Sequence, residues 1–261
     1  MSQRSGYEPG VPCWVDLSST DVPASARFYG ELFGWKADMI DNPEAGGYGQ
    51  FEFGGKKVAG LGPAQMEGMP SVWNVYVATD DIQATARKVK DAGGTVIMDP
   101  MRVFDEGSMA VFQSPEGAFF CAWQANRHQG AELVNEPVSF TWNELAARDT
   151  EGAKGFFPAV FGWTHQTDTT SAPMPYTTWM VEGRPVAGMI EMGPQYPPEV
   201  PSHWATYFAV ADTPATVDKA VKLGSTVIVP PMDSPMGPLA FLIDPQGAMF
   251  AIIQLNEAET A

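Results

Sequence analysis

The stretch FYGELFGW, residues 28–35, decides the fold because a related stretch, FFPAVFGW, occupies residues 156–163. The match extends outward without a gap, so that residues 14–60 correspond to residues 142–188. Self-similarity over a long span is the sequence signature of a repeat architecture. The chain therefore consists of two homologous halves.

Each half is itself doubled, although more faintly. Within the first half, the segment TDVPASAR, residues 20–27, resembles TDDIQATAR, residues 79–87. Between the halves, the second units also correspond, since residues 73–100 match residues 204–231. In every unit an aspartate stands where a helix is expected to begin, at Asp21, Asp81, Asp149 and Asp212. Asp is a preferred N-cap residue, so the pattern predicts four units that each open with a strand and a capped helix.

The sequence pattern of a single unit predicts one strand, then a helix, then three more strands. In the second unit, aromatic and β-branched residues indicate a strand at 72–78, and Gly93 and Gly94 end the helix that Asp81 opens. Three short strands are predicted at 95–98, 109–113 and 118–123. The turn Pro115-Glu116-Gly117 joins the last two strands, and Pro245-Gln246-Gly247 has the same place in the fourth unit. The predicted fold class is α+β, with four βαβββ units forming two domains.

We expect a first domain at residues 1–125 and a second at 137–261, joined by a linker at 126–136. The four units lie at about 12–65, 70–125, 137–192 and 201–255.

Composition limits the classes of partner. The chain has 31 Asp and Glu against 15 Lys and Arg, a net charge of −16, which disfavours nucleic acid and anionic membranes as partners. With 44% hydrophobic and 18% charged residues it is globular. The two cysteines have no metal-ligand spacing, and no apolar run is long enough to cross a membrane. We expect a cytoplasmic monomer or homodimer.

Four βαβββ units, the FYGELFGW entry and the closing Pro-x-Gly hairpins resemble the vicinal oxygen chelate superfamily. Its members include glyoxalase I, bleomycin-resistance proteins and extradiol dioxygenases. The tandem arrangement is most similar to actinobacterial glyoxalase-like proteins that are named as hydroxylases. The resemblance implies that two units pair into a cup-shaped sheet, which holds a divalent metal ion in some members and only an organic ligand in others. Which units pair stays open.

The resemblance also implies where metal ligands would stand. One position lies seven residues before each helix-opening Asp, and another lies four residues after each hairpin glycine. Those positions hold Trp14, Asn74, Trp142, Ala205, Cys121 and Ala251. Trp and Ala cannot replace oxygen or imidazole ligands, so we expect no metal ion and no other cofactor, with a divalent metal as the alternative. The scattered histidines His128, His165 and His203 are interpreted as surface or loop residues.

Alternation of side chains along a strand defines the candidate site. Asp16 shares a face with Trp14, and Glu144 shares a face with Trp142, so both carboxylates are candidate general bases inside the cups. The candidate ligand-binding residues are Trp14, Asn74, Tyr76, Cys121 and Trp123 in the first cup, and Trp142 and Tyr207 in the second. The first cup has more polar groups, which favours it for selective recognition.

Three classes of function remain open. The leading interpretation is a metal-independent protein that binds a small organic molecule in one or both cups, as a sequestering or resistance protein. The alternative is an enzyme of the same superfamily, either a glyoxalase-like lyase or a dioxygenase or hydroxylase, with an atypical active site. A structural protein whose cups are filled by its own side chains is the third.

Overall fold

A computed structural model describes residues 3–64, 68, 70–170 and 174–256. In the first half, the strands are β1 (Pro12–Ser19), β2 (Lys36–Met39), β3 (Gly49–Phe53), β4 (Lys56–Pro63), β5 (Val72–Ala78), β6 (Thr95–Val103), β7 (Gly107–Gln113) and β8 (Phe119–Ala125). The helices of this half are α1 (Val22–Phe33) and α2 (Ile82–Asp91). The strands form one eight-stranded sheet in the order β2-β3-β4-β1-β5-β8-β7-β6.

The second half repeats this plan. Its strands are β9 (Phe140–Ala147), β10 (Thr164–Asp168), β11 (Tyr176–Val181), β12 (Arg184–Glu191), β13 (His203–Ala209), β14 (Thr226–Met232), β15 (Leu239–Ile243) and β16 (Met249–Ile253), and its helices are α3 (Thr150–Phe161) and α4 (Thr213–Lys222). The sheet order is β10-β11-β12-β9-β13-β16-β15-β14. The α+β fold of four βαβββ units is confirmed, and the two units of each half share one sheet.

The helix boundaries follow from the predicted caps. All four aspartates accept a hydrogen bond from the backbone N–H three residues ahead, which satisfies one of the free amides of the first turn. Helices α1 and α3 end at Gly34 and Gly162, which have φ values of 76° and 71°. Glycine adopts this left-handed conformation at little cost. The glycine of each Phe-Gly-Trp triplet therefore ends a helix.

The tryptophan of each triplet ties one half to the other. Trp35 Nε1 donates to the carbonyl of Val138 at 2.7 Å, and Trp163 Nε1 donates to the carbonyl of Gly10 at 2.7 Å. Gly10 and Val138 lie just before β1 and β9, and their φ values are 85° and 64°. A positive φ strains a β-branched residue such as valine, so this geometry is maintained at a cost. The two indoles form a reciprocal clamp between the halves.

The helix-bearing faces of the two sheets pack against each other. Phe28 of α1 contacts Phe250 of the second sheet with ring centroids 6.3 Å apart, and Phe120 of the first sheet contacts Phe157 of α3 at 5.6 Å. Trp73 and Trp204 lie on these helix-bearing faces, as predicted. The opposite faces of the sheets are the two cups. In the described part of the chain, no helix has the length and apolar character needed to span a membrane.

One polar network inside this interface has no equivalent in the other half. Tyr29 donates to Asp244 Oδ2 at 2.9 Å and accepts from Trp73 Nε1 at 2.9 Å. The corresponding position of α3 is Phe157, which has no hydroxyl group, and Trp204 Nε1 is buried without a partner. The interface is therefore symmetric in shape but not in hydrogen bonding.

The hairpin tips also differ. Gln246 Oε1 accepts a hydrogen bond from Ser25 Oγ of α1 at 3.2 Å. At the equivalent tip, both carboxylate oxygens of Glu116 are buried, and neither makes a hydrogen bond of normal geometry. Burial raises the pKa of Glu116, and the charge of Asp149 raises it further, while Ser114 and its own backbone offset part of the effect. A charge at Glu116 is therefore unfavourable in the folded protein.

The variant Glu116→Gln should increase the free energy of unfolding by about 1 kcal/mol at neutral pH, because it removes an unpaired buried charge. A raised pKa in the folded state means that the stability contribution of Glu116 is largest below its unfolded pKa and is lost as the pH rises. The difference between variant and wild type should therefore grow from pH 4 to pH 7. Urea unfolding at both pH values measures it, and equal differences at the two pH values would contradict the explanation.

Candidate functional site

The floor of the first cup is a carboxylate surrounded by hydrogen-bond donors. Asp16 Oδ1 accepts from Asn74 Nδ2 at 2.8 Å, and Asp16 Oδ2 accepts from the hydroxyls of Tyr76 at 2.8 Å and Tyr48 at 3.3 Å. Trp14 Nε1 donates to the Tyr48 hydroxyl at 3.1 Å. Strands β1 and β5 place Asp16 directly opposite Asn74. The structure thus brings four of the predicted residues together.

The second cup repeats this arrangement with fewer polar groups. Glu144 Oε1 accepts from the Tyr207 hydroxyl at 2.8 Å, and Tyr176 also hydrogen-bonds to Glu144. Trp142 Nε1 donates to the Tyr176 hydroxyl at 3.0 Å. Ala205 stands opposite Glu144 in place of an amide donor. The two cups therefore share a carboxylate, two tyrosines and a tryptophan that donates to one of the tyrosine hydroxyls.

Tyr48 and Tyr176 are site residues that the sequence analysis missed. Tyr48 immediately precedes β3, and Tyr176 is the first residue of β11. Each side chain reaches across to the carboxylate because the residue beside it, Gly60 for Tyr48 and Gly188 for Tyr176, has no side chain. A Cβ atom at either glycine would overlap the tyrosine hydroxyl. A signal was present, since the Tyr and Gly positions are identical in the two aligned halves.

Burial controls the protonation of both carboxylates. Burial raises the pKa of Asp16, and hydrogen bonds from Asn74, Tyr76 and Tyr48 offset part of that rise. The pKa of Glu144 is raised in the same way and is offset by its two tyrosines. A carboxyl group with a raised pKa is better suited to accept a proton than an ordinary one. Acid–base chemistry is therefore possible at either cup floor.

Cys121 and His128 complete the first cup. Cys121, a candidate ligand-binding residue, is 3% exposed, and burial raises the pKa of its thiol, so it is a small buried side chain that stays protonated. His128 was interpreted as a surface or loop residue. It lies in the linker, outside any helix or strand, but it is 6% exposed and packs between Trp14 and Trp123. The linker folds back over the sheet and carries it there. His165 is exposed and His203 partly exposed.

The second cup has an apolar wall of its own. Four buried residues form its centre, and five partly buried hydrophobic residues surround them. The buried residues are Ala205, Tyr207, Ala251 and Ile253, and the surrounding residues are Trp142, Leu239, Phe241, Met249 and Leu255. An apolar concavity with a few convergent polar groups is typical of a small-molecule site.

The donor groups in the cups do not fit a divalent metal ion. Such an ion needs several deprotonated oxygen, nitrogen or sulfur ligands. In the first cup Asp16, the carboxylate on the floor, already accepts three hydrogen bonds, and the raised pKa of Cys121 keeps its thiol protonated. In the described ranges, no three His, Cys, Asp or Glu residues cluster in a way that could hold a metal.

Two halves that each pair two βαβββ units in one eight-stranded sheet are consistent with the vicinal oxygen chelate fold. The family model described as Glyoxalase/Bleomycin resistance protein/Dioxygenase superfamily matches residues 13–122 and 123–252. This chain belongs to that superfamily.

Relatives of similar length share its sequence closely. The chain is 42% identical over 269 residues to the anthracycline biosynthesis protein DauV of Streptomyces sp. (strain C5), covering 98% of this chain and 97% of the relative. It is also 42% identical over 261 residues to CFP32 of Mycobacterium tuberculosis (strain CDC 1551 / Oshkosh), which carries a provisional glyoxylase name. That match covers 97% of this chain and 98% of the relative.

Solved structures share the fold at low sequence identity. The Mn(II)-bound glyoxalase from Novosphingobium aromaticivorans superposes with a TM-score of 0.63 at 16% identity, covering 94% of this chain and 82% of that one. The 2,3-dioxygenase LapB from Pseudomonas sp. KL28 superposes with a TM-score of 0.61 at 14% identity, covering 95% and 93%. These similarities support the fold alone.

The variants Gly60→Ala and Gly188→Ala should each lower the free energy of unfolding by about 1 to 3 kcal/mol. The new methyl group displaces the tyrosine hydroxyl and leaves buried polar groups without partners. The control is Gly155→Ala in the interior of α3, which should stabilise the protein by about 0.5 to 1 kcal/mol. Apart from the adjacent backbone of the helix itself, nothing lies within 4 Å of the new methyl group. Urea unfolding compares the three. Wild-type stability in both cup variants would contradict the proposed packing.

Proposed function

We propose that this protein binds a small planar organic molecule on the concave face of a sheet, without a metal ion. One observation carries the proposal: each cup combines a buried carboxylate, two tyrosine hydroxyls and a tryptophan, and in the second cup these groups lie within an otherwise apolar wall. An indole ring stacks well on planar or cationic groups, and the hydroxyls and carboxylate fix the orientation of a ligand.

The metal-free part of the proposal rests on the donor groups. Each cup supplies one carboxylate, and that carboxylate is held by neutral donors. The positions where the superfamily resemblance implies ligands hold Trp14, Asn74, Cys121 and their counterparts. These side chains are suited to recognising an organic molecule and poorly suited to holding a divalent cation.

The name of the relative DauV supports a class of ligand. That protein is named for the biosynthesis of anthracyclines, which are fused planar aromatic molecules with hydroxyl and carbonyl groups. A ligand of this shape matches an indole wall next to a carboxylate and two hydroxyl groups. We therefore propose a planar aromatic molecule with phenolic or carbonyl groups as the ligand.

An enzyme of the same superfamily is the second candidate, and the raised pKa of Asp16 and Glu144 favours it. Either carboxylate would act as a general base, in a lyase, dioxygenase or hydroxylase reaction. Turnover that is lost in Asp16→Asn or Glu144→Gln would distinguish catalysis from binding. A cytoplasmic location and a monomeric or homodimeric state remain part of the proposal.

Purified protein should contain no stoichiometric transition metal, and added metal should not stabilise it. A ligand at a hundred times its dissociation constant adds about 2.7 kcal/mol to the free energy of unfolding, so metal binding would be easy to detect. Elemental analysis and thermal unfolding with Mn²⁺, Ni²⁺, Zn²⁺ or Fe²⁺ make the test. One metal ion per chain, or a clear rise in melting temperature, would overturn the metal-free proposal.

Quinizarin, a dihydroxyanthraquinone, is a suitable probe for the binding site. Its affinity should fall by about 1.5 to 3 kcal/mol, or roughly 10- to 150-fold, in one of the two variants Asp16→Asn and Glu144→Gln. Each variant keeps the shape of its side chain and serves as the control for the other. Equilibrium dialysis measures the affinities. If both variants bind like the wild type, the carboxylates are not part of the site.

A further inference from the structure

The two cups share one plan but differ in how their tryptophans are covered. Trp14 of the first cup is 3% exposed, whereas its counterpart Trp142 is only partly buried. Both indoles donate to a tyrosine hydroxyl in the same way. Among the described residues, one group lies on Trp14 that has no equivalent on Trp142, and it accounts for the lower exposure of Trp14.

That group is the imidazole of His128. Its ring centroid lies 4.4 Å from that of Trp14, with an interplanar angle of 82°, and 5.6 Å from that of Trp123. His128 Nε2 is buried and has no hydrogen-bond partner. Burial lowers the pKa of His128 to about 4, with a further contribution from Lys57, so the ring is neutral at pH 7. A neutral ring thus contacts the Trp14 indole, the group that the proposed function assigns to ligand contact.

The backbone around His128 is tied to the first sheet. Trp123 Nε1 donates to the His128 carbonyl at 2.8 Å, and the amide of Ala131 donates to the carbonyl of Cys13 at 2.8 Å. Gly130 between them has a φ of 113°, and a Cβ atom there would overlap the Cys13 carbonyl. The linker can approach β1 this closely only because residue 130 is glycine. His128 is therefore held firmly in the first cup.

The second cup has no comparable group among the described residues, where Trp142 makes no ring contact with another aromatic side chain. When Pro115-Glu116-Gly117 is aligned with Pro245-Gln246-Gly247, the residue that corresponds to His128 is Ala258, which lies outside the described residues. An alanine has no ring that could cover an indole. The sequence difference therefore agrees with the greater exposure of Trp142.

We infer that His128 takes the place of a ligand in the first cup, so that the chain has one working cup, the second. This inference rests on the proposed binding function. The sequence analysis favoured the first cup as the binding site because it has more polar groups. In the structure those polar groups hydrogen-bond to one another beneath the His128 ring, so the inference favours the second cup.

The stoichiometry of quinizarin binding tests the inference. Wild-type protein should bind one molecule per chain, with an affinity that falls in Glu144→Gln and not in Asp16→Asn. The variant His128→Ala should bind a second molecule per chain, because it uncovers Trp14 while its backbone bonds remain. Adding Asp16→Asn to that variant should remove the second molecule only. His165→Ala, at an exposed histidine of β10, is the matched control and should bind one.

The outcomes separate the two proposals. Two molecules per wild-type chain would overturn this inference while supporting the proposed function. One molecule in His128→Ala, with a wild-type circular dichroism spectrum, would also overturn it. No binding to any variant would overturn the proposed function and this inference with it. If His128→Ala does not fold, diethylpyrocarbonate labelling of the wild type decides: His128 should be protected while His165 reacts, and rapid labelling of His128 overturns the inference.

Discussion

Two indole N–H groups connect the two halves of this molecule by hydrogen bonds. Trp35 reaches the carbonyl of Val138 just before the first strand of the second half, and Trp163 reaches the carbonyl of Gly10 just before the first strand of the first half. Each tryptophan follows the glycine that ends its helix. The helix end, the bond between the halves and the start of the next sheet are therefore set by a single short motif, used twice.

Because the clamp joins the halves through their helix-bearing faces, neither half covers the cup face of the other. The aromatic side chains of α1 and α3 fill the space between the sheets. The cup faces then point away from each other. Each carries a carboxylate, Asp16 or Glu144, that has no place in the apolar core between the sheets. Burying such a group is costly unless donors surround it, and the tyrosines and Asn74 supply those donors. The cup floors are thus satisfied polar networks within apolar walls.

The two halves share one plan, but their cups differ at particular residues. The carboxylate, the tyrosines and the tryptophan are kept in both, whereas Asn74 is replaced by Ala205 and Cys121 by Ala251. The first cup has more polar bonds and a covering histidine, and the second is more apolar. A similar difference occurs in the interface, where Tyr29 has a hydroxyl that Phe157 lacks. A repeat can therefore keep its shape while each copy takes on different chemistry.

The sequence by itself determined the repeat, the βαβββ order of each unit, the four helix caps and the face on which Asp16 and Glu144 lie. These features depend on residues close together in the chain, because caps are local and side chains alternate along a strand. Only the tertiary structure decided that neighbouring units share a sheet, that Tyr48 and Tyr176 reach the carboxylates, and that His128 lies on Trp14. Each of these contacts joins residues far apart in sequence, and local patterns carry no information about which distant segment will fold back to make them.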